Sequence, residues 1–207
     1  MSVPVQCVLL AIAGYLLGSI SCGLIVAKLA HGPNLYEVGS HSTGASNVLR
    51  SMGVKWGLVT FLGDYAKGLL AAGLGWLVTG EVWGAMLGGL MCVIGHNWPV
   101  FYGFKGGKGV AVSTAVALVC FPVPALISYA VTIAVIALLR YISLGSMIFV
   151  TLYGILVIAA KAQGDWRVIV WAILMAVICI ARHHANIGRL IRGEERRIGQ
   201  RIEDEKA

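Results

Sequence analysis

The chain has 207 residues, 58% of them hydrophobic and only 12% charged, with a mean hydropathy of +0.85. A soluble domain carries about 25% charged residues, so this composition excludes an ordinary water-soluble globule, and the apolar content excludes disorder. The 16 Lys plus Arg against 9 Asp plus Glu leave a net +7, which in a bilayer protein is a question of sidedness.

Taken in chain order, the first apolar segment runs from Val3 to about Ala30 and stops at the turn-forming His31-Gly32-Pro33-Asn34. Its first charge is Lys28 and it lacks a basic n-region, so it reads as an uncleaved span rather than a secretory signal. A polar stretch over 31–55 follows, then a second segment, Trp56–Val78, interrupted by Asp64 and Lys67. The third, Val82–Gly95, carries Gly84-x-x-x-Gly88, the small-residue spacing that lets helices touch. His96–Lys108 is too polar and glycine-rich for helical core. The run 110–139 has no charge but holds Pro122 and Pro124, which favour a break near Phe121. Leu144–Ala160 and Val168–Ala181 complete the set before a charged tail over 192–207.

Breaking 110–139 yields seven spans. Every Lys and Arg except Lys67, Lys161 and Arg167 then falls on the side of the C-terminus, as the positive-inside bias requires. The fold expected is therefore all-α, a single polytopic membrane domain of seven helices with the N-terminus outside and the C-terminus cytoplasmic. Several spans are short, so the loops Gly39–Arg50 and His96–Gly109 must enter the membrane where protein satisfies their backbone. Cys7, Cys22, Cys92, Cys120 and Cys179 lie singly in apolar runs, without metal or disulfide spacing.

Four polar constellations fall on the cytoplasmic side. Gly39–Arg50 combines glycine, hydroxyls (Ser40, Ser46), Asn47 and the guanidinium fork of Arg50, a set suited to phosphate. Gly103–Gly109 places Lys105 and Lys108 around Gly106 and Gly107, a second anion cradle that matches neither a P-loop nor a dinucleotide fingerprint. Asp64 and Lys67 are one turn apart and can pair, either as a structural ion pair or in catalysis. Arg182-His183-His184-Ala185-Asn186 leaves the last span with His183 and Asn186 on one face, and histidine there can be a base or a phosphate ligand. Metal is disfavoured because the acidic residues are too scattered for a first shell. Arg140–Ser146 adds Ser143 and Ser146 as a smaller element. Ile187, Ile191, Ile198 and Ile202 among arginines and glutamates read as an interfacial amphipathic helix. Read from residues alone, these loops gather where a phosphorylated polar molecule can meet something hydrophobic.

In order and spacing the loops resemble the bacterial acyl-phosphate:glycerol-3-phosphate acyltransferases, the PlsY family, over nearly the whole chain. The resemblance rests on three motifs: Ser40, Gly44-Ala45-Ser46-Asn47-Val48 and Arg50; Gly95-His96, Pro99-Val100-Phe101 and Phe104 through Ala111; and Arg182-His183, Asn186-Ile187 and Arg189-Leu190. Asp64-x-x-Lys67-Gly68 also looks like the family's. The chain departs from the pattern at His41-Ser42-Thr43, where the family usually has Gly-Asn followed by Pro, Ile or Val, so the loop tip is expected to be stiffer or reshaped.

The resemblance implies transfer of a fatty acyl group from acyl phosphate to the 1-hydroxyl of glycerol 3-phosphate, giving lysophosphatidic acid and inorganic phosphate, at the bacterial cytoplasmic membrane. It implies no cofactor and no metal. The expected partners are the two substrates and membrane lipid, with no nucleic acid, and a monomer is compatible with the sequence. His183, oriented by Asn186, and a substrate phosphate oxygen are alternative bases. Ser40, Ser46, Asn47, Arg50, Lys105, Gly106, Gly107, Lys108, Ser143 and Ser146 are the expected phosphate binders, with Asp64, Lys67, His96 and Arg182 in support. The His-x-x-x-x-Asp dyad of another glycerolipid acyltransferase class is absent. An organic-phosphate transporter is the alternative from another class, although its charges would sit nearer the midplane and its sequence would repeat.

Overall fold

The computed structural model describes residues 1–161 and 164–200. Among them the structure is all helical: α1 (Val3–Ser19), α2 (Cys22–Leu29), α3 (Ala45–Met52), α4 (Val54–Thr79), α5 (Val82–Asn97), a 3₁₀ turn (Val100–Tyr102), α6 (Val110–Cys120), α7 (Pro122–Leu139), α8 (Ile142–Lys161), α9 (Trp166–Arg182) and α10 (His184–Arg192). Val3–Leu29, Pro122–Leu139 and Ile142–Ala160 are long and apolar enough to cross a membrane, and the bent pair α9–α10, angled by 59°, makes a fourth. α4 has 26 residues, about 39 Å at 1.5 Å per residue, but Asp64 and Lys67 interrupt its apolar run.

The first apolar segment is not one continuous helix. Ile20 and Ser21 are extended, so α1 ends at Ser19 and α2 begins at Cys22. The physical reason lies across the interface, because the ammonium of Lys67 donates to the carbonyls of Gly18 (3.0 Å) and Ile20 (2.6 Å). A broken helix frees carbonyls that an unbroken one would spend on itself. The break expected in 110–139 is present: Phe121 is extended (φ −141°) and Pro122 opens α7, where its missing N–H costs nothing.

α5 is the centre of the bundle, packed against α1, α4 and α6, and α6 also packs on α4. Close approach depends on absent side chains. A Cβ on Gly75 of α4 would lie 2.0 Å from the Gly84 carbonyl oxygen of α5, so Gly84-x-x-x-Gly88 is a helix contact as its spacing suggested. The core continues through Val112, Val116, Phe149, Tyr153, Trp171 and Cys179 of α6, α8 and α9. Outward residues such as Leu77, Leu138 and Val54 are at least 74% exposed, which suits lipid rather than water.

Two further expectations change. His96 and Asn97 are not loop but the last residues of α5, both buried. The tail is not a continuous amphipathic helix. α10 stops at Arg192 because Gly193 turns left-handed (φ +73°), and residues 194–200 fold back as irregular chain. There the Ile198 N–H donates to the Arg140 carbonyl at 2.8 Å and Arg140 returns a bond to the Ile198 carbonyl at 2.7 Å. Arg201, Ile202 and Lys206 lie outside the described residues.

Candidate active site

The three loops line a cavity whose empty space, part of it open to solvent, is about 690 Å³. Its wall takes Ser40, Ser46, Asn47 and Arg50 from the first loop and α3, Lys108 from the second, Ser143 and Ser146 from α8, and His183 and Asn186 from the α9–α10 bend. Asp64 and His96 reach it from the bundle, and Phe61, Val110, Ala111 and Ile142 supply an apolar side.

The first loop is held by Asn47, which is 1% exposed. Its side-chain oxygen accepts from the Ser40 N–H at 2.8 Å, and its amide donates to the carbonyls of Leu35, Val38 and Ser42 at 3.1, 3.1 and 2.8 Å. Asn47 is thereby fully committed to shaping the loop. The departure at His41 is absorbed locally: His41 itself takes a left-handed conformation (φ +51°), and its ring donates to the Tyr36 carbonyl at 2.8 Å. Ser40 and Ser42 hydroxyls meet at 3.0 Å. α3 starts just beyond, at Ala45 after its N-cap Gly44, and Gly44, Ala45 and Ser46 line the cavity, so a helix N-terminus, which favours anions, borders it.

In the second loop Lys105 and Lys108 part company. Lys108 projects into the cavity and donates to the side-chain oxygen of Asn186. Lys105 is exposed and outside the wall, and its carbonyl accepts from the Tyr36 hydroxyl at 2.8 Å, joining the two loops. Gly106 and Gly107 also stand behind the wall, where their carbonyls accept from Arg182 at 3.0–3.3 Å. Gly107 presses on His96 so closely that a Cβ would fall 2.1 Å from the ring nitrogen Nε2. Arg182 stacks on Trp98 at 5.4 Å and anchors the loop. Lys67 is likewise behind the wall, paired with Asp64 at 3.0 Å.

Glu195 is the residue that sequence reasoning missed. It is 5% exposed, and one oxygen accepts from Ser143 (2.7 Å) and Asn186 (2.8 Å) while the other accepts from Arg189 (2.7 Å). Arg50 lies 3.9 Å away. A relay therefore runs from the Lys108 ammonium through the Asn186 amide to the Glu195 carboxylate. Burial opposes the carboxylate's charge, but the bonds from Ser143, Asn186 and Arg189 outweigh it and hold Glu195 below the usual range. Burial, reinforced by Arg189 and offset by Glu195, lowers Lys108 to about 8. The only sequence cue for Glu195 was one acidic residue among the arginines and glutamates of the charged tail, which composition reads as solvated surface.

At the bend, His183 is 3% exposed and its Nδ1 lies 2.7 Å from the Cys179 carbonyl oxygen. A carbonyl only accepts, so Nδ1 carries the proton and Nε2 offers a lone pair.

A profile of the glycerol-3-phosphate acyltransferase family matches residues 8–193. The chain belongs to the glycerol-3-phosphate acyltransferase family. A glycerol-3-phosphate acyltransferase of Finegoldia magna is 40% identical over 93% of this chain and 96% of its own length. One from Clostridioides difficile is 40% identical over 95% of this chain and 97% of its own. The crystal structure of PlsY, an integral membrane glycerol 3-phosphate acyltransferase, in its glycerol 3-phosphate form superposes with a TM-score of 0.87 at 38% identity, covering 93% of this chain and 96% of that one. Its lysophosphatidic acid form superposes with a TM-score of 0.83 at 37% identity. The chain is an acyltransferase of the membrane.

Proposed function

We propose that this acyltransferase uses acyl phosphate as donor, transferring the acyl group to the 1-hydroxyl of glycerol 3-phosphate. The observation that carries the reading is the composition of one cavity: Lys108 and Arg50 beside a proton-accepting His183 nitrogen, with Phe61 opening the same space toward lipid. The relatives in glycerol 3-phosphate and lysophosphatidic acid forms support acceptor and product. An acyl phosphate carries its own leaving group, so positioning and charge neutralisation are what the protein must add.

In this mechanism Arg50, Lys108, Ser40 and the first amides of α3 hold substrate phosphate, with Ser46, Ser143 and Ser146 completing the polar wall. Lys105 adds long-range attraction for anions at the mouth. His183 Nε2 accepts the proton of the 1-hydroxyl as its oxygen bonds to the acyl carbon. The carbon–oxygen bond to phosphate then breaks, and the proton passes from His183 to the departing phosphate. Lys108 and Arg50 offset the charge that accumulates. Seven spans, an outside N-terminus and a site facing the cytoplasm of a bacterial inner membrane are part of the same reading, supported by the sidedness of the basic residues. No cofactor enters any step.

The test is purified protein in micelles with glycerol 3-phosphate and, in parallel, acyl phosphate, acyl carrier protein thioester and acyl-CoA. Phosphate release and lysophosphatidic acid formation with acyl phosphate alone is the expected result. Turnover with a thioester and none with acyl phosphate would replace the donor.

A further inference from the structure

Two histidines face the cavity, and the bonds on their Nδ1 atoms place their protons on opposite nitrogens. His183 donates from Nδ1 to the Cys179 carbonyl, which leaves Nε2 bare. His96 has its Nδ1 2.9 Å from the Lys67 ammonium, a group that only donates. Nδ1 of His96 is therefore the acceptor, and the ring proton of the neutral imidazole is on Nε2. The competing partner, Asp64, lies 3.5 Å from Nδ1, too far for a good N–H···O bond, and is 3.0 Å from Lys67. Lys67 cannot turn away, because the carbonyls of Gly18 and Ile20 at the α1–α2 break hold it. A proton on Nδ1 would face that fixed ammonium directly.

His96 is 6% exposed, and its ring lines the cavity with Lys108, His183 and Asn186. Gly107 packs beside Nε2 without offering it a bond, and among the described residues Nε2 has no acceptor. We propose that His96 is a catalytic residue, a neutral imidazole whose Nε2–H donates to an anionic substrate oxygen, while Lys67 is the positioning residue that fixes its tautomer. The site thus divides two imidazoles between two tasks. His183 takes the hydroxyl proton, and His96 holds negative charge without giving up its own proton, as a preorganised donor does at a developing oxyanion. The anionic oxygen is either on a substrate phosphate or on the acyl carbonyl under attack. This assignment deepens the acyl-transfer reading above and rests on it for the kinetics, whereas the tautomers do not depend on it.

The test begins with nitrogen-15 NMR of the full chain in micelles at pH 7, with ring signals assigned from His96→Gln and His183→Gln. The expected result is His96 protonated on Nε2 and His183 on Nδ1, with the His96 Nε2–H signal moving on titration with glycerol 3-phosphate or inorganic phosphate. A His96 protonated on Nδ1 or on both nitrogens overturns the inference, and so does a signal indifferent to both anions and to the full substrate pair. In the Lys67→Met protein the His96 tautomer should no longer be uniform; an unchanged tautomer removes Lys67 as its cause. In kinetics, His96→Leu should lose at least tenfold in kcat/KM, with His96→Gln, which retains an N–H, recovering part. A raised KM for glycerol 3-phosphate assigns the bond to phosphate, and a lowered kcat assigns it to the carbonyl oxygen. Unchanged values of both overturn the proposal. Should native protein show no turnover with acyl phosphate, the donor reading fails, and the native NMR titration still decides the role of His96.

Discussion

Glu195→Gln tests the relay that joins the tail to the site. The substitution keeps the volume and one acceptor oxygen but removes the carboxylate that sits among Arg50, Lys108 and Arg189. Lys108 is lowered to about 8 with that carboxylate helping it to stay protonated. One charge acting across the bridging Asn186 amide is worth on the order of 1–3 kcal/mol at an effective dielectric of about 20–40, and 1.36 kcal/mol is about one pKa unit. The sign follows directly. Protonated Lys108 binds phosphate, so in the free enzyme kcat/KM for glycerol 3-phosphate is full below about 8 and falls as pH rises through it. Without Glu195 the fall begins about one pH unit lower, toward 7. The measurement is kcat/KM between pH 6 and 9.5 for both proteins, with circular dichroism and gel filtration as the control on folding. An alkaline limb in the same place, or displaced upward, would refute the relay.

Lys108→Ala should lower kcat/KM by about 10²-fold, the loss of one charge-assisted contact of roughly 3 kcal/mol, while Lys105→Ala, at an exposed position, should cost less than tenfold; steady-state kinetics compare them, and equal effects would contradict their separation in the structure. His183→Ala should lower kcat by about 10²–10⁴, whereas Asp165→Ala, which removes the cap bond to the Arg167 N–H at the other end of α9, should cost about 1 kcal/mol of stability and leave kcat unchanged. Gly75→Ala forces a Cβ to 2.0 Å from the Gly84 carbonyl oxygen, and backbone cannot yield cheaply. Its apparent Tm in micelles, at fixed scan rate, should fall with a destabilisation of about 1–3 kcal/mol or more, and a Tm equal to the parent's would show that α4 and α5 can separate there freely.

Much of this molecule is legible in its sequence because the informative features are local. Pro122 ends α6 wherever the chain lies in space, and the order of glycines, hydroxyls and cations in the three loops survives without knowledge of packing. What escaped reading is non-local. Nothing around Ile20 and Ser21 announces a break, since its cause is Lys67, 47 residues further on. Lys105 and Lys108 look equivalent in a glycine loop, and only Arg182 and Tyr36, distant in the chain, hold that loop so that one lysine enters and the other stays out. Glu195 sits in a run of charges whose composition resembles any solvated tail, and its partners Ser143 and Asn186 lie 52 and 9 residues away.

The folded-back tail also bears on the order of synthesis. Glu195 follows the ten described α-helices in the chain, so of the groups in this network its carboxylate is translated last. Docking of residues 194–200 against Arg140 and Ser143 brings that carboxylate to Arg50 and Arg189. A chain halted before this segment would carry every motif quoted above and lack the carboxylate to which Ser143, Asn186 and Arg189 donate.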